Sequence, residues 1–248
     1  MVDLVITAVP CLSDNYAYLV RAPGASAAWV VDPSEHAPVI AALEAHGLQL
    51  AGVLATHHHP DHVGGIPGLL AHYGERPVGG HASDRERIPS QTLFVDAPTD
   101  RFIDTDVVID GRRALAAHIP GHTRGAIAWY LPAHGGDVGH VFTGDTLFAA
   151  GCGRLFEGTP AQMYSSLSLL CSLPSETKMW FGHEYTASNL RFAAATEPDN
   201  AAVAERAADL PPCTTPTTVA LERATNPFVR AGGAEELARR RSAKDTFR

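Results

Sequence analysis

At 248 residues, with 45% hydrophobic and 19% charged side chains, the chain suits one large globular domain, alone or with a small appendage. A net charge of −8 argues against a nucleic-acid surface, which needs a basic face to neutralise phosphates. No apolar run approaches the ~20 residues needed to span a membrane, and the N-terminus lacks the basic and apolar regions of a signal peptide. Cys11, Cys152, Cys171 and Cys213 are too few in a chain of this length for a disulfide framework, so a reducing, cytoplasmic setting is expected.

In chain order, short apolar runs at 4–9, 16–20 and 28–31 read as strands, the third stopped by Asp32-Pro33-Ser34. Val39, Ile40 and Leu43, closed by Gly47, predict a helix over 37–46. The run Ala51-Gly52-Val53-Leu54-Ala55 reads as a buried strand, and Ile66, Leu69, Leu70 and Tyr73 predict a helix over 62–73. Further strands are expected at 107–110, 113–119, 126–131, 140–143 and 178–181. Thr159-Pro160 suits the start of a helix with Met163, Leu167, Leu170 and Cys171 on one face. The alternation predicts an α/β protein whose sheet layers are covered by helices. After His183 the character changes. Residues 186–209 read as an Ala-rich helix, 210–218 as a Pro/Thr-rich connector, and 217–224 and 234–247 as short helices. The chain is therefore divided into a catalytic domain at 1–183 and a small helical domain at 184–248.

The densest chemistry is Thr56-His57-His58-His59-Pro60-Asp61-His62-Val63-Gly64-Gly65, directly after the strand at 51–55. Side chains two apart on extended backbone point the same way, so His57 and His59 can share one ion while His58 faces elsewhere. Beyond Pro60 a helical turn projects Asp61 and His62 toward a second point. Imidazole and carboxylate are ligands for zinc, manganese and iron. Three other apolar runs also deliver a polar ligand type just after a glycine: Gly121-His122, Gly144-Asp145 and Gly182-His183. Each alone reads more readily as a structural residue. Together with the tract they supply five histidines and two aspartates, enough for two ions.

His57-x-His59-x-Asp61-His62, followed downstream by single His, Asp and His ligands, resembles the metallo-β-lactamase superfamily. Leu12-Ser13-Asp14-Asn15-Tyr16, Gly144-Asp145-Thr146-Leu147-Phe148, Gly151-Cys152-Gly153-Arg154, Phe156-Glu157-Gly158-Thr159, Gly182-His183-Glu184-Tyr185-Thr186 and Asn226-Pro227-Phe228 resemble one family within it, the glyoxalase II or hydroxyacylglutathione hydrolases. The resemblance covers nearly the whole chain. It implies an αββα sandwich with a dinuclear site at one sheet edge, followed by a helical domain. It assigns His57, His59 and His122 to a first ion, Asp61, His62 and His183 to a second, and Asp145 to both, and leaves His58 out. His118 and His140, inside strand runs, are expected to stay outside the site.

The same resemblance implies cleavage of S-(2-hydroxyacyl)glutathione, typically S-D-lactoylglutathione, to glutathione and a hydroxy acid in methylglyoxal detoxification. Metal-bound hydroxide is the nucleophile, Asp61 and Asp145 are catalytic, and two divalent ions are the cofactor, zinc in the first place, with iron or manganese also suited. Cys152 has no partner base beside it and reads as structural rather than nucleophilic. Substrate contacts are assigned to Arg154, Phe156, Tyr185, Arg241 and Lys244; from the residues alone, Arg241 and Lys244 would be a solvated basic helix end. Some family members carry Lys at Arg154, Tyr at Phe156 and His at Ala126, so Phe156 lacks a hydroxyl contact. A monomer is implied. The competing expectation is a mononuclear-iron oxidoreductase acting on glutathione persulfide, against which the complete set Asp61, His62 and His183 speaks.

Overall fold

A computed structural model describes residues 4–247. The first half builds one sheet. Strands β1 (Val5–Cys11), β2 (Asn15–Arg21) and β3 (Ala27–Val31) run as an antiparallel meander. Helix α1 (His36–Ala45) crosses to β4 (Gln49–Leu54), which pairs parallel with β3. The short α2 (Pro60–Val63) and α3 (Ile66–Tyr73) lead to β5 (Val78–His81) and β6 (Leu93–Val95), which complete a six-stranded sheet in sequence order.

The second sheet begins with β7 (Ile103–Ile109), β8 (Arg112–His118), β9 (Ile127–Leu131) and β10 (His140–Gly144), all antiparallel neighbours. A small hairpin, β11 (Leu147–Phe148) and β12 (Gly151–Cys152), and helix α4 (Pro160–Leu170) precede β13 (Lys178–Phe181), which lies parallel to β10. The remainder is α5 (Thr186–Thr196), α6 (Ala201–Ala208), the two-residue β14 (Thr217–Thr218) on the edge of β13, α7 (Val219–Thr225) and α8 (Ala234–Thr246). The protein is an αββα sandwich followed by a helical segment, the α/β class expected.

Period-two alternation explains the layers. Along β2, Tyr16, Tyr18 and Val20 point between the sheets, where they meet Trp129, Phe142 and Trp180. Ala17 and Leu19 point the other way, against Val39 and Leu43 of α1 and Leu69 of α3. Along β9, Ile127, Trp129 and Leu131 enter the middle layer, while Ala128 and Tyr130 face a cluster with Met163, Leu167 and Leu170 of α4 and Leu237 of α8. Strands β2 and β9, covered on both faces, read as nearly continuous apolar runs, whereas β7 at a sheet edge alternates buried and exposed residues.

Two expectations are corrected and two strands, β5 and β6, were not foreseen. The helix predicted over 62–73 is two helices, α2 and α3, parted at Gly64-Gly65. The helix predicted over 186–209 breaks at 197–200, because Pro198 offers no N–H and disfavours helical backbone at Glu197; Asn200 then caps α6 by accepting from the Ala202 N–H at 3.2 Å. Strands β5 and β6 had no strong signal: β5 is Val78-Gly79-Gly80-His81, and glycine weakens a strand reading. Among the described residues, no helix is long and apolar enough to cross a membrane.

Candidate metal centre and its cleft

The ligand types converge because β4, β8, β10 and β13 release their chains at one edge of the sandwich. His57 follows β4, His62 lies in α2, His122 follows β8, Asp145 follows β10 and His183 follows β13. Two glycines make the approach possible. Gly144 has φ +49°, and a Cβ at Gly182 would meet the Asp145 carboxylate at 2.3 Å and the His62 ring at 2.6 Å.

Two groups form. His59 Nδ1 lies 3.1 Å from His57 Nε2 and 3.1 Å from His122 Nε2. Asp61 Oδ2 lies 3.3 Å from His183 Nε2 and 3.8 Å from His62 Nε2. Asp145 stands between them, Oδ1 at 3.2 Å from His62 Nε2, and Oδ2 at 3.3 Å from His183 Nε2 and 3.5 Å from His122 Nε2. His62 Nε2 and Asp145 Oδ1 are buried without a hydrogen bond, although they face each other. Buried polar atoms left without a hydrogen bond and aimed at a common space fit a cation, and both trios have the donor set of a divalent metal site.

The outer ring nitrogens of His62, His122 and His183 are occupied, which turns their Nε2 atoms inward. His62 Nδ1–H donates to Asp32 Oδ2 at 2.9 Å, His122 Nδ1–H to the Arg154 carbonyl at 2.9 Å, and His183 Nδ1–H to Asp14 Oδ1 at 2.8 Å. Asn15 Nδ2 donates to Asp61 Oδ2 at 3.2 Å. Asp14 and Asn15 lie inside the motif at 12–16 but had no role assigned. Asp32 was read only as a strand stop; the signal in its favour is a carboxylate directly after a buried strand, the same pattern as Asp145.

Charge is divided unequally between the groups. Burial, reinforced by neighbouring imidazoles, holds His57 well below the ordinary imidazole range and His59 at about 4. Burial also lowers His122, against the pull of Asp145. Burial opposes charge on His62 and His183 too, but Asp145 and Asp32 raise the first, and Asp145 and Asp61 raise the second to about 10. The hydrogen bond from His183 lowers Asp61, and His62 and His183 lower Asp145 despite its burial. The first trio is thus neutral at pH 7, ready for a cation. The second is a set of internal ion pairs whose protons a cation would displace.

Beside the centre lies a cleft of ≈ 500 Å³. It is lined by His122 and Asp145 at one end, and by Arg154, Phe156, Tyr185, Arg241 and Lys244, so all five residues expected to contact substrate reach it. They do so differently. Phe156 is 63% exposed, its ring edge-on to those of His59 and His122. Tyr185 stacks on His183, centroids 4.8 Å apart. The exposed Arg154 has Nε 3.6 Å from Asp245 Oδ1. Lys244 Nζ donates to the Ser188 hydroxyl at 2.9 Å. Arg241, by contrast, is buried, donating to the Cys152 carbonyl at 2.7 Å and pairing with Asp245 at 3.1 Å. Ser188, Asn189, Asp245 and Phe247 also line the cleft and were not foreseen. His118 stacks on His81 and His140 accepts from Trp180 Nε1, both outside the centre.

Stacked mixed sheets between helices, with clustered His and Asp side chains at the strand ends, define a protein of the metallo-β-lactamase superfamily; a profile described as "Metallo-beta-lactamase superfamily" matches residues 13–183. A second, "Hydroxyacylglutathione hydrolase C-terminus", matches residues 184–247. The chain is 47% identical to the hydroxyacylglutathione hydrolase of a Synechococcus species, over 98% of this chain and 99% of that one. It is also 47% identical to that of Acidiphilium cryptum, over 98% and 96%. The chain belongs to the hydroxyacylglutathione hydrolase family. A crystal structure of ETHE1 from Myxococcus xanthus superposes with a TM-score of 0.68 at 24% identity, covering 96% of this chain and 90% of that one, a likeness of fold.

Proposed function

We propose that the protein hydrolyses the thioester of S-(2-hydroxyacyl)glutathione, S-D-lactoylglutathione in the first place, releasing glutathione and D-lactate in methylglyoxal detoxification. The observation that carries this reading is a pair of ligand groups joined by Asp145 at the head of a cleft with cationic walls. His57, His59 and His122 would hold one divalent ion, Asp61, His62 and His183 a second, and Asp145 both. Zinc suits the mixed nitrogen and oxygen donors, as do iron and manganese. When bound, such a pair makes water a nucleophile at neutral pH and neutralises charge developing on the carbonyl oxygen.

The chain's own residues supply the rest. Neutral His57 and His59 offer lone pairs without a proton to lose. Asp32, Asp14 and the Arg154 carbonyl keep three rings in the tautomer that points Nε2 inward. Arg154 and Lys244 present cations to the carboxylates of the glutathione portion, Tyr185 and Phe156 give flat walls, and Arg241 braces α8 against the Cys152 loop. The leaving thiolate needs no general acid. Cys152 is no nucleophile, since burial pushes its thiol up to about 11. The work divides between residues 1–183, which carry the ligand set, and 184–248, which carry Tyr185, Arg241 and Lys244. We expect a monomer of the cytoplasm, where exposed Cys213 stays reduced.

The complete second trio favours this reading over one-iron oxidation of glutathione persulfide. The test is thiol release from S-D-lactoylglutathione by the purified protein, with metal content measured on the same sample. Fast release with about two ions per chain supports the reading. No release with a single iron bound overturns it in favour of persulfide oxidation, and no release despite two ions discards the glutathione substrate.

A further inference from the structure

Neither ligand group uses His58, the middle histidine of the tract. Its ring turns away from the centre: Nδ1–H donates to Asp84 Oδ2 at 3.3 Å, and Nε2 accepts from Arg87. Arg87 makes a two-pronged pair with Glu157, Nη1 to Oε2 at 3.3 Å and Nη2 to Oε1. Glu157 Oε2 also accepts the Arg124 N–H at 2.8 Å. Asp84 is 1% exposed and lies so close beneath the turn after His122 that a Cβ at Gly125 would meet its carboxylate at 2.3 Å. One charged network therefore clasps the segments at 57–59, 84–87, 122–125 and 154–158.

These segments carry His57, His59 and His122, together with the carbonyl that orients His122. The Phe156 and Glu157 N–H groups both donate to the His122 carbonyl, at 3.2 and 3.3 Å, while His122 Nδ1–H donates back to the Arg154 carbonyl at 2.9 Å. The 154–158 segment and the His122 turn thus hold each other, and Glu157 is the side chain that fastens the pair to the rest of the edge. An isolated exposed ion pair contributes little. A forked Arg–carboxylate pair in a network, with Glu157's side chain only 21% exposed, is geometrically far more constraining. Arg87 holds the Glu157 carboxyl down at about 2, so it is an anion at any working pH.

We propose that Glu157 is a positioning residue for the trio His57, His59 and His122: its clasp on Arg87 and the Arg124 N–H sets the ring orientation with which His122 presents Nε2. The proposal rests on the reading that this trio holds a divalent ion. Loss of a ligand's own hydrogen-bond partner typically weakens metal binding roughly 10–100-fold; Glu157 acts one contact further out, through the 154–158 segment, so that range is a ceiling, and the loss falls on one of two ions.

The test is a titration of the metal-free, full-length protein with cobalt(II), following visible absorption and calorimetric stoichiometry in wild type, Glu157→Ala and Glu157→Gln. In Glu157→Ala one ion should bind measurably more weakly, by up to roughly 100-fold, and the other as in wild type. Glu157→Gln, which keeps an acceptor for the Arg124 N–H but loses the charge toward Arg87, should fall between, and it decides the matter if Glu157→Ala does not fold. Wild-type affinity for both ions in the variants, or equal weakening of both together with a drop in melting temperature, overturns the proposal. Two ions in wild type without thioester hydrolysis would refute the substrate reading and leave this inference standing.

Discussion

Asp32 directly follows β3, with φ 48°, and is 2% exposed. Its carboxylate accepts the Thr56 N–H at 2.7 Å, the Thr56 hydroxyl at 2.6 Å and His62 Nδ1–H at 2.9 Å. Removing it as Asp32→Ala strands buried donors, each at about 1–3 kcal/mol. The Thr56 hydroxyl can turn to His57 Nδ1 at 3.1 Å, so two donors remain unpaired. Alanine in the left-handed region adds about 1 kcal/mol, for a total of roughly 3–7 kcal/mol. At about 2–4 °C per kcal/mol for a chain of this size, the metal-free protein should melt roughly 6–28 °C lower. Asp32→Asn tolerates the positive φ and keeps an acceptor for the Thr56 N–H, but presents an amide where His62 has its carboxylate. It should therefore melt closer to wild type and lose roughly 10–100-fold in affinity for the ion at Asp61, His62 and His183. Thermal denaturation and competition with a chelator measure the two effects. Asp32→Ala melting within about 2 °C of wild type, with Asp32→Asn holding both ions unchanged, would refute the argument.

Asp145→Ala should abolish turnover and retention of both ions together, checked by thiol release and metal analysis; an active, metal-replete variant contradicts its bridging place. In the metal-free protein, His183 is raised from its ordinary 6.5 to about 10, so its pairing stabilises fully below 6.5 and is lost as pH climbs toward 10. Asp61 and Asp145 are lowered from 3.8, so their contribution is present above 3.8 and lost as pH falls below it. His57, His59 and His122, lowered from 6.5, in turn cost stability as pH falls below 6.5, so denaturation across pH should show the metal-free protein most stable near 6.5, and metal should flatten the alkaline decline. Burial, with Arg241 and Arg191, lowers Lys244 to about 8, so KM for glutathione thioesters should rise as pH passes 8, and Lys244→Arg should remove that rise. Arg241→Ala should raise KM and also lower the melting temperature, since its guanidinium holds the Cys152 carbonyl. Trp129→Ala should cost about 3–5 kcal/mol in urea denaturation, because the ring fills the layer between the sheets and its Nε1 donates to the Ala55 carbonyl at 3.0 Å.

The sequence by itself showed where the candidate ligand types stand and that strands alternate with helices; the αββα layer order and the division of the ligands into two trios came with the family resemblance. A strand that delivers His57-x-His59 on alternate residues, and three further strands that each deliver one ligand after a glycine, are local patterns, legible without knowing what lies across the sheet. The same holds for the helix starting at Thr159-Pro160, whose cap is written in adjacent residues. Local pattern failed where punctuation was weak or misjudged: the glycines of β5 hid a strand, and Pro198 split a run that alanine made look continuous. What the tertiary structure alone decided is which carboxylates stand behind the rings, and what each cation of the last helix does. Asp32 and His62 are far apart in sequence and meet because β3 and β4 are parallel neighbours that end at one edge. Arg241 and Lys244 share a helix and a charge, yet one is buried against the Cys152 carbonyl and the other opens to the cleft beside Ser188. The partners of a side chain depend on contacts between distant segments, and a one-dimensional pattern carries no such distances.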